Sequence, residues 1–214
     1  MDRLKGCDAT YKDCDKVEIV ADKLSFYIRE LCEEDLEQVC AMEEEAFSMP
    51  WKREDFVGMI NNTNALYIVA VEGESGSASS ENGSLVVSGG AKFAPHSMDK
   101  QVDSAIVAGC ATLNERILGC VGCICVLDEG NICNIVVKND MRGQGVGSAL
   151  IKELIYRGFK DYGVTSFTLE VRESNSVARG LYEKCGFKFE GIRPGFYDFP
   201  KEDGAIYWLR NAGA

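Results

Sequence analysis

Histidine is almost missing from this chain. Its 214 residues contain one, His96, so a nucleophile activated by imidazole would have to be built on that single position, which argues against histidine-based catalysis. A basic excess is missing too. There are 34 acidic residues against 23 lysines and arginines, a net charge of −11, which excludes a broad basic face for nucleic acid. An acidic surface favours a basic acceptor through steering, or simply keeps the protein soluble. No apolar run approaches the ~18 residues of a membrane-spanning helix. Residues 1–22 are too polar for a signal peptide, so the expected location is the cytoplasm, away from membranes. Cysteine, by contrast, is plentiful at ten residues, and without a secretion signal these read as reduced thiols. Cys120, Cys123 and Cys125 share an apolar, strand-like run. Cys120-x-x-Cys123 has no second matching pair at zinc-finger spacing and only one histidine in the chain to join it, so these thiols read as small core hydrophobes and no metal is expected.

A hydrophobic content of 46% and a charged content of 27% suit one globular domain with appendages. Residues 1–23 show no period and read as an N-terminal extension. The domain is expected over 24–210, interrupted by a Gly/Ser-rich insertion at about 73–115, with a short tail at 211–214. Within the insertion Leu85–Val87 and Ala105–Ala108 can pair as a hairpin. Strands are expected at Ser25–Arg29, Leu66–Val71, Arg116–Leu127, Asn131–Val137, Thr165–Glu170, Phe187–Glu190 and Ala205–Leu209. Helices are expected at Glu33–Phe47, Lys52–Ile60, Val146–Tyr162 and Ser174–Lys184. The first would bury Leu36, Val39, Cys40, Glu43 and Phe47. The third would bury Val146, Leu150, Ile151, Leu154, Ile155, Phe159 and Tyr162 and end at Gly163. This order gives a mixed α/β sheet with helices on both faces.

The most informative segment is Arg142-Gly143-Gln144-Gly145-Val146-Gly147, between an apolar strand and an amphipathic helix. Glycines let backbone N–H groups approach a ligand, and the helix adds unpaired N–H groups and the positive end of its dipole. The combination suits phosphate. A P-loop is excluded because Gly147 is followed by Ser148-Ala149 rather than Lys-Ser/Thr. The dinucleotide pattern G-x-G-x-x-G meets Ser148 or Leu150 where its third glycine belongs. Arg-x-x-Gly-x-Gly resembles the pyrophosphate loop of the GNAT superfamily of N-acetyltransferases.

A second constellation narrows the resemblance. Leu169-Glu-Val-Arg-Glu-Ser-Asn175 and Leu181-Tyr-Glu-Lys-Cys-Gly-Phe187 are joined by three further segments: Glu44 to Phe56, Asn134-Ile-Val-Val137, and Gly191-Ile-Arg-Pro-Gly-Phe-Tyr197. In that order they resemble the ribosomal-protein-alanine N-acetyltransferases. The resemblance implies a mostly antiparallel sheet whose central strand pair splays at the acetyl-CoA site. It implies Glu170 as general base and Tyr182 as general acid. It places the pantetheine arm on the backbone of Ile135, Val136 and Val137 and on Asn175, and the pyrophosphate on Arg142, Gly143, Gln144, Gly145, Val146, Gly147 and Ser148. A backbone N–H near Val137 is the natural oxyanion donor. The acceptor would be the N-terminal peptide of a ribosomal protein, lined by Trp51 and Tyr197. Phe47 reads rather as core, and Cys185 as packing. A monomer or weak dimer is expected. A small-molecule amine or a lysine as acceptor, and a non-catalytic acyl-CoA-binding module, stay open as alternatives. The extension, the insertion and the cysteine-rich strand depart from the family pattern and leave the acceptor open.

Overall fold

The computed structural model describes residues 17–21, 24–73 and 115–210; the hairpin expected inside the insertion lies outside them. Strands β1 (Val17–Ala21), β2 (Leu24–Glu30) and β3 (Ala65–Glu72) precede β4 (Ile117–Val126), β5 (Glu129–Val137) and β6 (Ser166–Arg172), and β7 (Lys188–Tyr197) and β8 (Glu202–Arg210) end the chain. Helices α1 (Leu36–Ala46) and α2 (Arg53–Ile60) lie between β2 and β3. Helix α3 (Val146–Tyr162) joins β5 to β6, and α4 (Ser176–Lys184) joins β6 to β7. These strands form one sheet in the order β1-β2-β3-β4-β5-β6-β8-β7. All pairs are antiparallel except β5 with β6.

The sheet is covered on both sides. Alternation along β3 sends Leu66, Ile68 and Ala70 toward Leu150, Ile151 and Leu154 of α3. It sends Tyr67, Val69 and Val71 toward Leu36, Val39 and Met42 of α1 and Phe56 of α2. A strand buried on both faces reads as a continuous apolar run, and β3 does. Cys120 and Cys123 are fully buried among these side chains. Burial pushes the Cys120 thiol up to about 12 and that of Cys133 up to about 11, so neither offers a ready thiolate. At the start of α1, Asp35 takes two hydrogen bonds from buried Arg29 at 2.6 and 2.8 Å, and Glu115 takes a third at 3.0 Å. That cluster ties β2 to the entry of α1 and to the point where the chain enters β4.

Three expectations need correction. The extension is not featureless to residue 23, because Val17–Ala21 pairs with Leu24–Ile28 as an edge strand. Short, polar-flanked edge strands carry little periodic signal. Phe159, expected in the core, is 42% exposed, whereas Arg157 is buried on the same helix and donates to Glu153 at 2.7 Å. Phe47 follows the last residue of α1 in extended conformation and is 41% exposed.

Candidate active site

β5 and β6 pair in parallel only at Glu129–Asn131 with Ser166–Thr168. Beyond those residues the strands part, and the wedge between them is a cleft of about 710 Å³. Ile132 to Ile135 form one wall and Leu169 to Arg172 the other. Phe47, Met49 and Trp51 close it on the side of α1, with Asn175, Ala178 and Tyr182 of the α4 segment opposite and Phe196 to Asp198 at the rim.

The parting has a local cause. In the β4–β5 ladder Gly122 faces Asn134 and Cys123 faces Ile132, so Cys133 is an extra, bulged residue. A bulge bends its strand and increases local twist. It also reverses which side chains face which layer. Ile132 packs in the α3 layer; past the bulge Ile135 and Val137 take that side, and Val136 turns to the α1 layer. The same reversal turns buried Asn134 toward α1, where its Nδ2 donates to Glu43 Oε1 at 2.9 Å.

Glu43 is 1% exposed, and burial raises its carboxyl pKa against the opposing hydrogen bonds from Asn134 and from the Trp51 backbone N–H. The Oδ1 of Asn134 has no hydrogen-bond partner although it is buried in the cleft wall.

Glu170 lies on β6 with its carboxylate in the cleft, where Oε1 accepts from Arg193 Nη1 at 3.1 Å. Tyr182 is 4% exposed on α4. Its ring sits 6.1 Å from that of Phe187 and 6.2 Å from that of Tyr207. Burial, reinforced by Tyr197 and Cys185, pushes its pKa well up, so the phenol holds its proton at neutral pH. Asn175 caps α4 through Oδ1, which accepts from Ala178 N–H at 3.1 Å. That leaves Nδ2 as its donor toward the cleft. Tyr197 lies beneath the Arg172 guanidinium at 4.3 Å and donates to the Glu170 carbonyl at 3.2 Å.

The glycine loop lies beyond this cleft. Val136, Val137 and Arg142 line a second, smaller depression. Arg142 Nε donates to Val137 O at 3.2 Å, and Gln144 Nε2 to Asp140 O at 2.8 Å. Gly143 and Gly145 have φ of 75° and 87°, left-handed values that glycine takes without Cβ strain. The first hydrogen bond that closes onto the loop is Ala149 N–H to Gly145 O at 3.0 Å. The N–H groups of Val146, Gly147 and Ser148 therefore point out of the helix start unpaired, as an anion site requires. Gly143 to Ser148 line neither depression.

The wedge thus brings together Ile135, Glu170, Asn175, Tyr182, Trp51 and Tyr197. A match to the acetyltransferase (GNAT) family covers residues 87–187, which include the parted strand β5, the glycine loop and α4. Over that span, just under half of its length, the chain resembles the GNAT acetyltransferases. The [ribosomal protein bS18]-alanine N-acetyltransferase of Haemophilus influenzae is 45% identical over 87 residues, 41% of this chain and 58% of that protein. A Bacillus subtilis relative, called a putative [ribosomal protein bS18]-alanine N-acetyltransferase, is 27% identical over 85% of this chain and 93% of its own length. The crystal structure of the ribosomal-protein-S18-alanine N-acetyltransferase from Escherichia coli superposes with a TM-score of 0.61 at 26% identity, covering 88% of this chain and 96% of that one.

Sequence reading missed the Glu43–Asn134 pair, Arg193 and the apolar rim of Phe47, Met49 and Phe196. Glu43 was visible only as a polar residue at a buried helix position, a pattern that does signal a partnered site.

Proposed function

We propose that this chain is an acetyl-CoA-dependent N-α-acetyltransferase acting on the N-terminal alanine of a ribosomal protein. The observation that carries the reading is the wedge between β5 and β6 with Glu170 and Tyr182 together on its walls. On this reading the released backbone of Ile135–Val137 takes the pantetheine arm as an added strand, helped by Asn175 Nδ2. The N–H groups from Gly143 to Ser148, with Arg142, hold the pyrophosphate. The acceptor enters past Trp51 and Tyr197.

An α-ammonium has a pKa of ~8 and loses its proton more readily than lysine at ~10.4. Glu170 takes that proton, directly or through water. The freed amine attacks the thioester carbon, and the C–N bond forms as the carbonyl oxygen gains charge. A backbone N–H near Val137 faces that charge. The C–S bond then breaks and the departing thiolate takes the Tyr182 proton. The second amine proton, released through solvent, restores the phenol. The raised Tyr182 pKa suits this role, because the phenol is fully protonated when it is needed. No covalent enzyme intermediate forms, consistent with a Cys185 thiol that burial holds above its ordinary pKa.

Among the described residues no helix is long and apolar enough to cross a membrane, which is compatible with a cytoplasmic enzyme meeting a ribosomal substrate. A second reading, a small polycationic amine as acceptor, draws on Glu43, Glu170 and Asp198 sharing the cleft. The test is acetyl transfer from acetyl-CoA to an alanine-starting basic peptide beside a panel of polyamines, scored by CoA release and peptide mass. Acetylation of the peptide α-amine is expected. Turnover on polyamines alone supports the second reading, and acetyl-CoA binding without turnover on any amine supports a non-catalytic module.

A further inference from the structure

We infer that Arg193 is an internal stand-in for the acceptor's ammonium: it occupies Glu170 in the unloaded protein, and the acceptor must displace it. The inference rests on the reading of Glu170 as the group that receives the acceptor amine. Glu170 sits opposite Ile206 on β8, and Arg193 of β7 sits opposite Gly204 two positions away on the same strand. Alternation puts all of these on one face of the sheet. Arg193 therefore reaches diagonally across β8 to place Nη1 3.1 Å from Glu170 Oε1. It crosses at Gly204. A Cβ there would come within 3.0 Å of the Phe196 side chain. The missing Cβ leaves room for the Phe196 side chain, and the Arg193 guanidinium lies over its ring at 4.7 Å.

The contact is built to be exchanged. It is a single hydrogen bond rather than a bidentate fork, and the Arg193 side chain is 58% exposed against 19% for Glu170. Partly exposed pairs of this kind are weak. The other charges around Glu170 are committed elsewhere. Arg172 is held by Glu202 at 3.2 Å and by the carbonyls of Pro200 and Phe199 at 2.8 and 2.7 Å. Glu43 is tied to Asn134 across the cleft, Asp198 stands at the rim, and Tyr182 and Tyr197 are neutral phenols. An α-ammonium carries the same single positive charge as Arg193 and can take its place without leaving a carboxylate unpaired in the wedge. A neutral amine gains nothing from the exchange.

The consequence is readable in acceptor binding. Purified wild type, Arg193→Gln and Arg193→Lys are loaded with CoA and titrated calorimetrically with an alanine-starting basic octapeptide at pH 7 and pH 9. Peptide KM is measured in parallel with acetyl-CoA. With the internal cation gone, Arg193→Gln binds the peptide about two- to fivefold more tightly at pH 7, and the gain appears in KM rather than kcat. At pH 9 most of the α-amine is neutral, so the gain shrinks toward nothing. Arg193→Lys keeps the charge and stays near wild type. Weaker or unchanged binding by Arg193→Gln at pH 7, or an equal gain at both pH values, overturns the inference while wild-type turnover leaves the acetyltransferase reading standing. If no variant binds or acetylates the peptide, both fall together.

Discussion

Replacing Asn134 by alanine tests the buried polar pair beneath the cleft. Asn134 Nδ2 gives Glu43 its short hydrogen bond at 2.9 Å, and the remaining donor, the Trp51 N–H, is 3.4 Å away. With Glu43 1% exposed, the variant leaves a buried carboxylate nearly without donors, which costs about 1–3 kcal/mol and more if it stays charged. Part of that is offset, because the unpartnered Asn134 Oδ1 disappears with the side chain. A net loss of about 2 kcal/mol at pH 7 lowers the Tm by ~4–8 °C for a chain of this size. The pH dependence fixes the cause. Burial already raises the Glu43 pKa in the folded state, so its burial penalty is absent below the unfolded value and is incurred as pH rises through the folded one. Removing Asn134 raises the folded pKa further, so the deficit of the variant must grow with pH and shrink near pH 4, where the carboxyl is neutral. Thermal unfolding followed by circular dichroism at the two pH values measures this, with Glu43→Gln combined with Asn134→Ala as the double-mutant control. A loss under about 0.5 kcal/mol at pH 7, or the same loss at both pH values, refutes the argument.

Other outcomes follow from the proposed chemistry. Glu170→Gln is expected to lower kcat on the alanine peptide by about 10²–10⁴-fold and Tyr182→Phe by the lower part of that range; wild-type rates in both variants remove the catalytic assignment. Because burial raises the Tyr182 pKa above its ordinary 10.0, the phenol stays protonated across the assay range. kcat/KM should therefore show no Tyr182-dependent fall below pH ~10. A fall centred below pH ~9 that vanishes in Tyr182→Phe contradicts this. Gly145→Ala forces a Cβ into φ 87° at the start of α3, costing about 1–2 kcal/mol. It should raise KM for acetyl-CoA more than KM for the peptide, measured by initial rates.

Much of the architecture was legible because periodicity reports burial, and here burial is orderly. The apolar stripe of α3 from Val146 to Leu154 and the unbroken run of β3 both read correctly, as did the Gly163 stop, where φ is 70°. The glycine loop was legible because left-handed φ values at Gly143 and Gly145 demand the residue that occupies them. The two sides of the cleft were not equally visible. Glu170 and Tyr182 stand in contiguous motifs, whereas Glu43 and Asn134 are 91 residues apart and meet only through the sheet. Arg193 likewise meets Glu170 across an intervening strand, a relation that no local spacing encodes. Phe47 misled because it continues the apolar stripe of α1 by one residue after the helix has ended; its φ of −124° turns it out of the stripe and into the cleft.

The bulge at Cys133 explains why the Glu43–Asn134 pair and the visible motif share one cleft. Strict alternation through β5 would put Ile132, Asn134 and Val136 on one face, with Asn134 buried in the apolar layer of α3 and Glu43 left unpartnered beneath α1. One extra residue reverses the parity, so that Asn134 meets Glu43 while Ile135 and Val137 keep the α3 layer closed. The same residue falls just after Asn131, the last β5 partner of β6. Beyond it the added twist carries β5 off its neighbour and frees the backbone of Ile135–Val137 on the edge facing Glu170. A single irregularity in a buried strand therefore accounts for both the opening of the wedge and the polar pair in its wall.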